Sequence, residues 1–253
     1  VRAGTYVLWS AEQGSVVRQY APWPDRPDVY LSAADEEEAV HEAVQAAVRR
    51  QLVADVPVGT FLSGGIDSPL VTALSRAATD RRIPAFTIGS EHEDFDESAQ
   101  ARRYAHHLEV EHTVRAITES DALGLVDDVL GAFGEPFGDY SAFPTMLVSR
   151  MARERVTVVL SGDGADELFF GYPRTWTTLR WRTLFRLPPL TRRLFRKAMT
   201  PWPSRRPPES ATFATPGDMY STPHEEFTGD VLARVAPGLG DPPADFDLYD
   251  IEG

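Results

Sequence analysis

The sequence predicts an α/β fold in which a doubly wound, mostly parallel sheet carries helices on both faces. Predicted strands alternate with predicted helices through most of the chain, which is the pattern of a parallel sheet with helical connections. Each strand is an almost continuous apolar run, such as Val156–Leu160, so both of its faces are expected to be buried. A helical extension is expected after the last strand.

The first 30 residues are expected to form a β-hairpin and a linker. Residues 4–9 and 15–20 are β-prone and are separated by a turn that contains Gly14. The prolines of residues 22–27 then favour an extended chain. A hairpin followed by such a linker is typical of the tail of a preceding β domain, so we expect the chain to begin inside a larger protein.

Helical periodicity begins at residue 35, where Asp35–Glu38 place acidic side chains in the first turn of a helix that ends before Pro57. The predicted elements that follow are strand 58–62, helix 69–78, strand 85–89, helix 97–108, strand 110–114, helix 119–132, helix 142–154 and strand 156–160.

The amino-acid composition excludes several classes of protein and site. The chain has 253 residues and 42% hydrophobic content, enough for one sizeable core. No apolar run approaches the ~20 residues of a membrane span, and no signal peptide opens the chain, so we expect a cytoplasmic protein without membrane contact. The absence of cysteine excludes disulfides, thiolate zinc sites and a cysteine nucleophile within these residues.

The net charge of −13 argues against general nucleic-acid binding. The charge is uneven, because residues 169–207 contain no acidic side chain. Their ten basic residues are Arg174, Arg180, Arg182, Arg186, Arg192, Arg193, Arg196, Lys197, Arg205 and Arg206. We expect short Arg-rich helices solvated on one side. The alternative is a basic face that binds RNA, another polyanion or an acidic partner.

A Gly-Gly turn follows the strand that ends at Leu62. Gly64 and Gly65 permit a tight turn that aims backbone N–H groups at an anion on the N-terminus of the next helix, and Pro69 suits that helix start. The turn is not a Walker A loop, because the only lysine is Lys197. The alternative is an ordinary strand-turn-helix corner with Asp67 as a cap.

Residues 161–167 repeat this pattern after the last strand, with small residues followed by carboxylates. The two loops together supply two carboxylates for one Mg²⁺, a cation that prefers few protein carboxylates plus phosphate and water. Asp and Gly are also common turn residues, so a structural turn is the alternative. Because ligands bind at the carboxyl ends of parallel strands, residues 63–68, Gly89 and residues 161–167 are expected to converge.

Five motifs carry a resemblance to a known family. They are Leu62–Ser68, Phe86–Gly89, Asp96-Glu97, Gly134–Thr145 and Leu160–Phe169. Their order and spacing resemble asparagine synthetases of the glutamine-hydrolysing type over residues 35–175, and the first loop resembles the PP-loop of ATP pyrophosphatases.

The resemblance implies an adenine nucleotide α-hydrolase-like fold and three regions: a tail of a glutaminase-like domain at 1–30, a PP-loop synthetase domain at 31–175 and its Arg-rich helical and loop extension at 176–253. It implies that a carboxylate, aspartate in the type enzyme, attacks the α phosphorus of Mg-ATP and releases pyrophosphate. Ammonia derived from glutamine then expels AMP and gives the amide. A homodimer is left open.

The resemblance also implies the site residues. The pyrophosphate would be bound by Ser63, Gly64, Gly65, Asp67 and Ser68, and the AMP moiety by Leu62, Ile88, Gly89, Ser161 and Gly162. Asp67 and Asp166 would bind Mg²⁺. Asp163 and Glu167 would lie beside the acyl-adenylate, with Asp163 the better proton acceptor for the attacking ammonia.

Several features depart from the family pattern. Pro69 and Ser90 replace a serine and an aromatic residue, and a later segment with a lysine and an arginine is expected to be missing, so we expect this chain alone to turn over weakly or not at all. Alternatives are an amidotransferase or cyclase for another carboxylate, and a catalytically silent nucleotide- or partner-binding domain. A metal role for His106, His107 and His112 is rejected in favour of surface or edge histidines.

Overall fold

The computed structural model describes residues 4–21, 31–92, 96–133 and 139–200. The predicted linker, the part of the fourth motif at 134–138 and the region after residue 200 lie outside the described residues. Contacts divide the chain into two units. Unit 1 comprises residues up to Gly64 and Val71–Leu160, and unit 2 comprises Gly65–Leu70 and the residues from Ser161 onward.

The described strands and helices confirm the predicted alternation. In chain order they are β1 (Thr5–Ser10), β2 (Gly14–Gln19), α1 (Ala33–Gln51), β3 (Val58–Phe61), α2 (Asp67–Ala78), β4 (Ala85–Ser90), α3 (Ser98–His107), β5 (His112–Ile117), α4 (Glu119–Gly124), α5 (Val126–Ala132), α6 (Ala142–Arg153), β6 (Val158–Leu160), α7 (Ala165–Phe169), α8 (Pro173–Trp181), a 3₁₀ helix (Arg182–Arg186) and α9 (Pro189–Ala198). None of the described helices is both long and apolar enough to cross a bilayer.

Two sheets form in unit 1. The hairpin β1–β2 is antiparallel, and the other sheet has the order β5-β4-β3-β6 with every pair parallel. The chain proceeds from β3 to β4 and β5 on one side and then returns to place β6 on the other side of β3. The order therefore reverses between β3 and β6, and doubly wound sheets bind ligands at the carboxyl ends of the strands at such a switch point.

The core lies on both faces of the parallel sheet. Consecutive residues of a strand point to opposite faces, and Ala85 packs with Ala101 and Ala105 of α3, whereas Phe86 packs with Val148 and Ala152 of α6. All six are buried. The prediction of helices on both faces is confirmed.

Several predicted boundaries are wrong. Helix α2 begins at Asp67 and not at residue 69, and β6 begins at Val158 and not at residue 156. The predicted strand 110–114 begins only at His112, because the end of α3 takes up the residues before it: Glu109 has a φ of 53°, and Val110 N–H donates to Ala105 O at 3.1 Å. This is the bonding of a Schellman cap with Glu in place of the usual Gly. The predicted helix 119–132 is two helices, α4 and α5, which break at Leu125.

The Arg-rich region of unit 2 forms α8, the 3₁₀ helix and α9, as predicted, but its arginines are not all solvated. Arg192 is only 2% exposed, and its guanidinium carbon lies 4.4 Å from the ring centroid of Phe185. Leu190 and Leu194 on the same helix are 69% and 60% exposed. Part of the basic side of α9 therefore packs inward.

Candidate functional site

The loop after β3 leaves a buried strand and enters α2. Leu62 is 2% exposed, its N–H donates to Phe86 O at 2.9 Å and its carbonyl accepts from Thr87 Oγ1 at 2.5 Å. Its side chain is therefore in the core, and its backbone is bonded within the sheet. Ser63 and Gly64 follow at the carboxyl end of β3, as predicted.

Thr87 connects this loop to the edge strand β5. Its Oγ1 also lies 2.7 Å from His112 Nε2. Because a hydroxyl has one proton and Thr87 donates it to Leu62 O, His112 Nε2 must be the donor in this second bond. Burial, with a smaller contribution from Arg102, lowers the pKa of His112 below its ordinary 6.5. His112 is thus an edge histidine with a structural bond.

Gly64 packs against the first turn of α3. Its N–H donates to Glu97 Oε2 at 3.0 Å, and a Cβ at Gly64 would lie 2.9 Å from Glu97 Cβ. The sequence reasoning missed this contact, because the two residues are 33 positions apart. In this structure the Gly64 amide points at a protein carboxylate.

Asp96 fixes the carboxyl end of β4 to the start of α3. Its Oδ1 accepts from the N–H groups of Ser90 at 3.3 Å and Ser98 at 3.1 Å, and its Oδ2 accepts from Ser98 Oγ at 3.0 Å. These bonds, the Ser98 backbone bond foremost, lower the pKa of Asp96. Gly89 lies beside them, since a Cβ there would approach Asp96 Oδ1 to 2.6 Å.

Ile88, predicted to line the AMP moiety, is partly buried. It packs against the cluster of Phe86 and against the neighbouring cluster of Leu125 and Val129. Most of its side chain therefore serves the core on the α6 face of the sheet.

In unit 2 the structure brings together the two predicted Gly-rich segments. The backbone of Gly162 lies against the start of α2, because a Cβ at Gly162 would lie 2.7 Å from Ser68 N and 2.8 Å from Asp67 Cβ. Ser68 is buried, at 9% exposure, whereas Asp67 is partly exposed. Only glycine allows this backbone approach.

The residues after Gly162 form a short turn into α7. Ser161 Oγ donates to Asp163 Oδ2 at 2.9 Å, and Ala165 N–H donates to Gly162 O at 3.3 Å. Gly164 has a φ of 91°, in the left-handed region that other residues rarely adopt. Asp163 is exposed, so its carboxylate is accessible to a ligand.

Asp166 is held against Gly171. The Gly171 N–H donates to Asp166 O at 3.0 Å, and a Cβ at Gly171 would overlap Asp166 Oδ1. Within the described parts of the chain, no group of three or more His, Cys, Asp or Glu side chains is arranged to bind a metal. The predicted Mg²⁺ ligands, Asp67 and Asp166, are only two carboxylates. A Mg²⁺ ion bound to them needs further oxygen ligands from phosphate or water.

Glu167 is oriented by Tyr172, a residue to which the sequence analysis assigned no role. Tyr172 Oη donates to Glu167 Oε1 at 2.7 Å, and the guanidinium carbon of Arg174 lies 3.9 Å from the Tyr172 ring centroid. This hydrogen bond is the main cause that lowers the pKa of Glu167 and raises the pKa of Tyr172 to about 12. The lowered pKa favours the ionised form of Glu167.

Two solved structures overlap with parts of the chain. The glutamine-dependent NAD⁺ synthetase of Acinetobacter baumannii, in complex with ADP, is 17% identical, with a TM-score of 0.41, and the match covers 90% of this chain and 47% of that one. For the NH₃-dependent NAD synthetase of Campylobacter jejuni the values are 18% identity, a TM-score of 0.38, and 53% and 60% coverage.

Sequence comparisons identify closer relatives. A protein of Methanocaldococcus jannaschii named as a glutamine-hydrolysing asparagine synthetase is 38% identical over 182 residues, which cover 70% of this chain and 34% of the relative. A Mycobacterium tuberculosis H37Rv protein with the same designation is 34% identical over 226 residues, covering 88% and 34%. Asparagine synthetase B of Escherichia coli K12 is 30% identical over 188 residues, covering 67% and 33%. The chain thus spans about a third of the length of these relatives.

The family model described as Asparagine synthase matches residues 39–237. This range is most of the chain, and it contains both Gly-rich loops, the Asp96-Glu97 pair and the Gly171-Tyr172 pair. The chain therefore belongs to the asparagine synthase family.

Proposed function

We propose that this chain is the ATP-dependent, amide-forming synthetase region of a glutamine-hydrolysing amidotransferase. The observation that carries the proposal is the close approach of Gly162 to Asp67 and Ser68, which joins the two Gly-rich loops backbone to backbone. These loops follow β3 and β6, the two strands at the switch point of the sheet. The names of the relatives support the same class of reaction.

The proposed ATP site uses the loops for different parts of the nucleotide. Ser63, Gly64, Gly65, Asp67 and Ser68 are proposed to form the loop that holds the pyrophosphate end, with the start of α2 supplying backbone N–H groups and a favourable helix dipole. Gly64 is proposed to contribute through the tight turn that it permits, since its own N–H donates to Glu97 Oε2. Leu62, Ile88, Gly89, Ser161 and Gly162 are proposed to line the AMP moiety. The side chain of Leu62 is buried and that of Ile88 is partly buried in the core. These two residues would therefore support the AMP site mainly from the core side.

Mg²⁺ is proposed to bind Asp67 and Asp166. The donor set fits a hard cation, because both side chains offer carboxylate oxygen. The close packing of Gly171 on the Asp166 carboxylate supports the choice of Asp166, since it leaves no room for a Cβ at position 171. When bound, the ion would neutralise phosphate charge. Asp67 and Asp166 would hold it, together with oxygens of the substrate.

The proposed reaction has two steps. A substrate carboxylate attacks the α phosphorus of ATP, the bond to pyrophosphate breaks, and an acyl-adenylate forms. Ammonia then attacks the acyl carbon, a proton leaves the nitrogen, and AMP departs. We propose Asp163 as the proton acceptor, since its carboxylate is exposed and is oriented by Ser161. Glu167, whose pKa is lowered by the hydrogen bond from Tyr172, is suited to stabilise positive charge on the attacking nitrogen.

We propose aspartate as the acid and asparagine as the product, because the relatives are named asparagine synthetases. Their designation as glutamine-hydrolysing supports ammonia from glutamine and a glutaminase domain as partner. The second candidate is the same chemistry on another carboxylate, since the chain spans only about a third of the length of these relatives.

The experiment is pyrophosphate release from Mg-ATP with ammonium as nitrogen donor, with and without aspartate. It is run on the 253-residue chain and on the longest natural polypeptide that contains it. Release that depends on aspartate, with asparagine formed, supports the proposal. Release independent of aspartate favours another acid, and no release from either protein contradicts the synthetase assignment.

A further inference from the structure

Helix α3 packs against the phosphate-loop glycine Gly64 from two directions. The N–H of Gly64 donates to Glu97 Oε2 at 3.0 Å, and a Cβ at Gly64 would lie 2.9 Å from Glu97 Cβ and 3.2 Å from Gln100 Cβ. Both the N–H of Gly64 and the position that a Cβ would take therefore face the first turn of α3. The packing of α3 therefore favours glycine at position 64, because any other residue would place its Cβ too close to the Cβ atoms of α3 and its N-cap.

The first turn of α3 is in turn fixed to the sheet. Asp96 bonds the backbone N–H groups of Ser90, at the end of β4, and of Ser98, which is 5% exposed. Ser98 Oγ completes the set and also accepts from Arg102 at 2.9 Å. Glu97 thus extends from an anchored turn, so its carboxylate can fix Gly64 relative to the ends of β3 and β4.

We propose that Glu97 is a positioning residue for ATP binding: its carboxylate holds Gly64 and thereby sets the conformation in which Ser63 and Gly65 meet the phosphates. The inference rests on the proposed function of the loop. The property that matters is the side-chain oxygen that accepts the Gly64 N–H, a role that an amide oxygen of the same length can also fill. Glu97 itself carries the charge of an anion, so it acts through Gly64 and does not contact phosphate.

The same contact could have the opposite role, which is competition. In that role Glu97 accepts the Gly64 N–H that a phosphate oxygen must accept when ATP binds. The two roles predict opposite signs. Removal of a competitor strengthens ATP binding, whereas removal of a positioning residue weakens it. The Cβ geometry favours positioning, because the α-carbon of Gly64 packs on Glu97 and Gln100 in addition to the N–H bond, as expected for a glycine held in place by α3.

The test compares Glu97→Ala with Glu97→Gln, since the glutamine amide keeps an oxygen acceptor for Gly64 N–H and removes the charge. Glu111→Ala is the matched control: it also removes an exposed, bonded carboxylate, that of the Arg155 ion pair, from unit 1. Calorimetric titration with Mg-ATP gives the Kd, amide hydrogen exchange reports Gly64 N–H, and urea unfolding reports stability.

We expect Glu97→Ala to raise the Kd for Mg-ATP about five- to tenfold, the loss of roughly one hydrogen bond. Glu97→Gln should stay within about twofold of the unsubstituted chain, and Glu111→Ala should leave the Kd unchanged. Exchange at Gly64 N–H should accelerate in Glu97→Ala and stay slow in Glu97→Gln.

Equal or tighter ATP binding by Glu97→Ala overturns the proposal. An equal loss in Glu97→Ala and Glu97→Gln also overturns it, because the acceptor would then be irrelevant. Absence of ATP binding by the unsubstituted chain is a separate result that contradicts the proposed function itself.

Discussion

The backbone of Gly162 lies directly against the amide nitrogen of Ser68, so closely that a Cβ on Gly162 would come within 2.7 Å of that nitrogen. This contact joins the loop after β6 to the first turn of α2. Unlike Gly64, whose neighbours are side-chain carbons and one carbonyl, Gly162 faces the backbone that we propose to bind pyrophosphate.

Gly162→Ala is therefore expected to displace the start of α2. The added methyl has no flexible side chain to push aside, so we predict a loss of about 1–3 kcal/mol in unfolding free energy and at least about tenfold weaker ATP binding. Urea unfolding and calorimetry measure the two effects. Gly131→Ala is the control, since its Cβ meets nothing within 4 Å on α5, and it should be neutral or slightly stabilising.

Gly171→Ala tests the position of Asp166 without altering the carboxylate. The new Cβ would overlap Asp166 Oδ1, so the side chain must rotate. We predict that Mg²⁺-dependent ATP binding falls by about the same factor as in Asp166→Asn, at least about tenfold. Gly124→Ala, which meets nothing within 4 Å, is the matched control. Normal Mg²⁺ dependence in Gly171→Ala would show that this position of Asp166 is not needed.

The Tyr172 hydroxyl is expected to control the ionisation of Glu167. Its hydrogen bond is the largest cause of the lowered Glu167 pKa, so Tyr172→Phe should raise that pKa toward the ordinary 4.5, with Arg174 still opposing the rise. Carbon-detected NMR titration of the Glu167 carboxyl measures it. Tyr140→Phe is the control, because Tyr140 is 86% exposed. An unchanged Glu167 titration in Tyr172→Phe would remove the assigned cause.

His112 should make stability depend on pH. Its pKa is lowered in the folded chain, so below pH 6.5 the unfolded chain binds a proton that the folded chain does not. The stability is present above pH 6.5 and is lost as the pH falls through the lowered pKa. His112→Gln keeps a donor for Thr87 Oγ1 and should flatten the change in unfolding free energy between about pH 7.5 and about pH 5.5.

Urea unfolding at the two pH values tests this prediction. His107→Gln is the matched control, because His107 is exposed on α3 in the same unit. A slope in His112→Gln equal to that of the unsubstituted chain would assign the pH dependence to other groups.

Much of the fold could be predicted from local sequence patterns. Buried strands read as apolar runs, and the alternation that sends Ala85 to α3 and Phe86 to α6 follows from strand geometry. Boundaries of helices and strands that are set by non-local or atypical contacts cannot be predicted in this way. The end of α3 has Glu109 where a glycine would have signalled the cap, so the start of β5 was misplaced.

The site shows the same division. The Gly-rich loops and their carboxylates were found from sequence, because small residues and Asp directly after strands are a local signal. The Glu97–Gly64 bond and the Thr87–His112 bond join residues 33 and 25 positions apart, so they depend on how strands and helices pack. Tyr172 follows the second Gly-rich loop by five residues, but its bond to Glu167 depends on the turn after α7.

The most direct test of the central claim is calorimetric titration of Mg-ATP into the chain and into Asp67→Asn and Asp166→Asn. We expect the unsubstituted chain to bind Mg-ATP and each variant to bind it at least about tenfold more weakly. The Kd values for ATP without Mg²⁺ should differ far less among the three proteins. Unchanged Mg-ATP binding in both variants would contradict the assignment of the two loops to Mg-ATP.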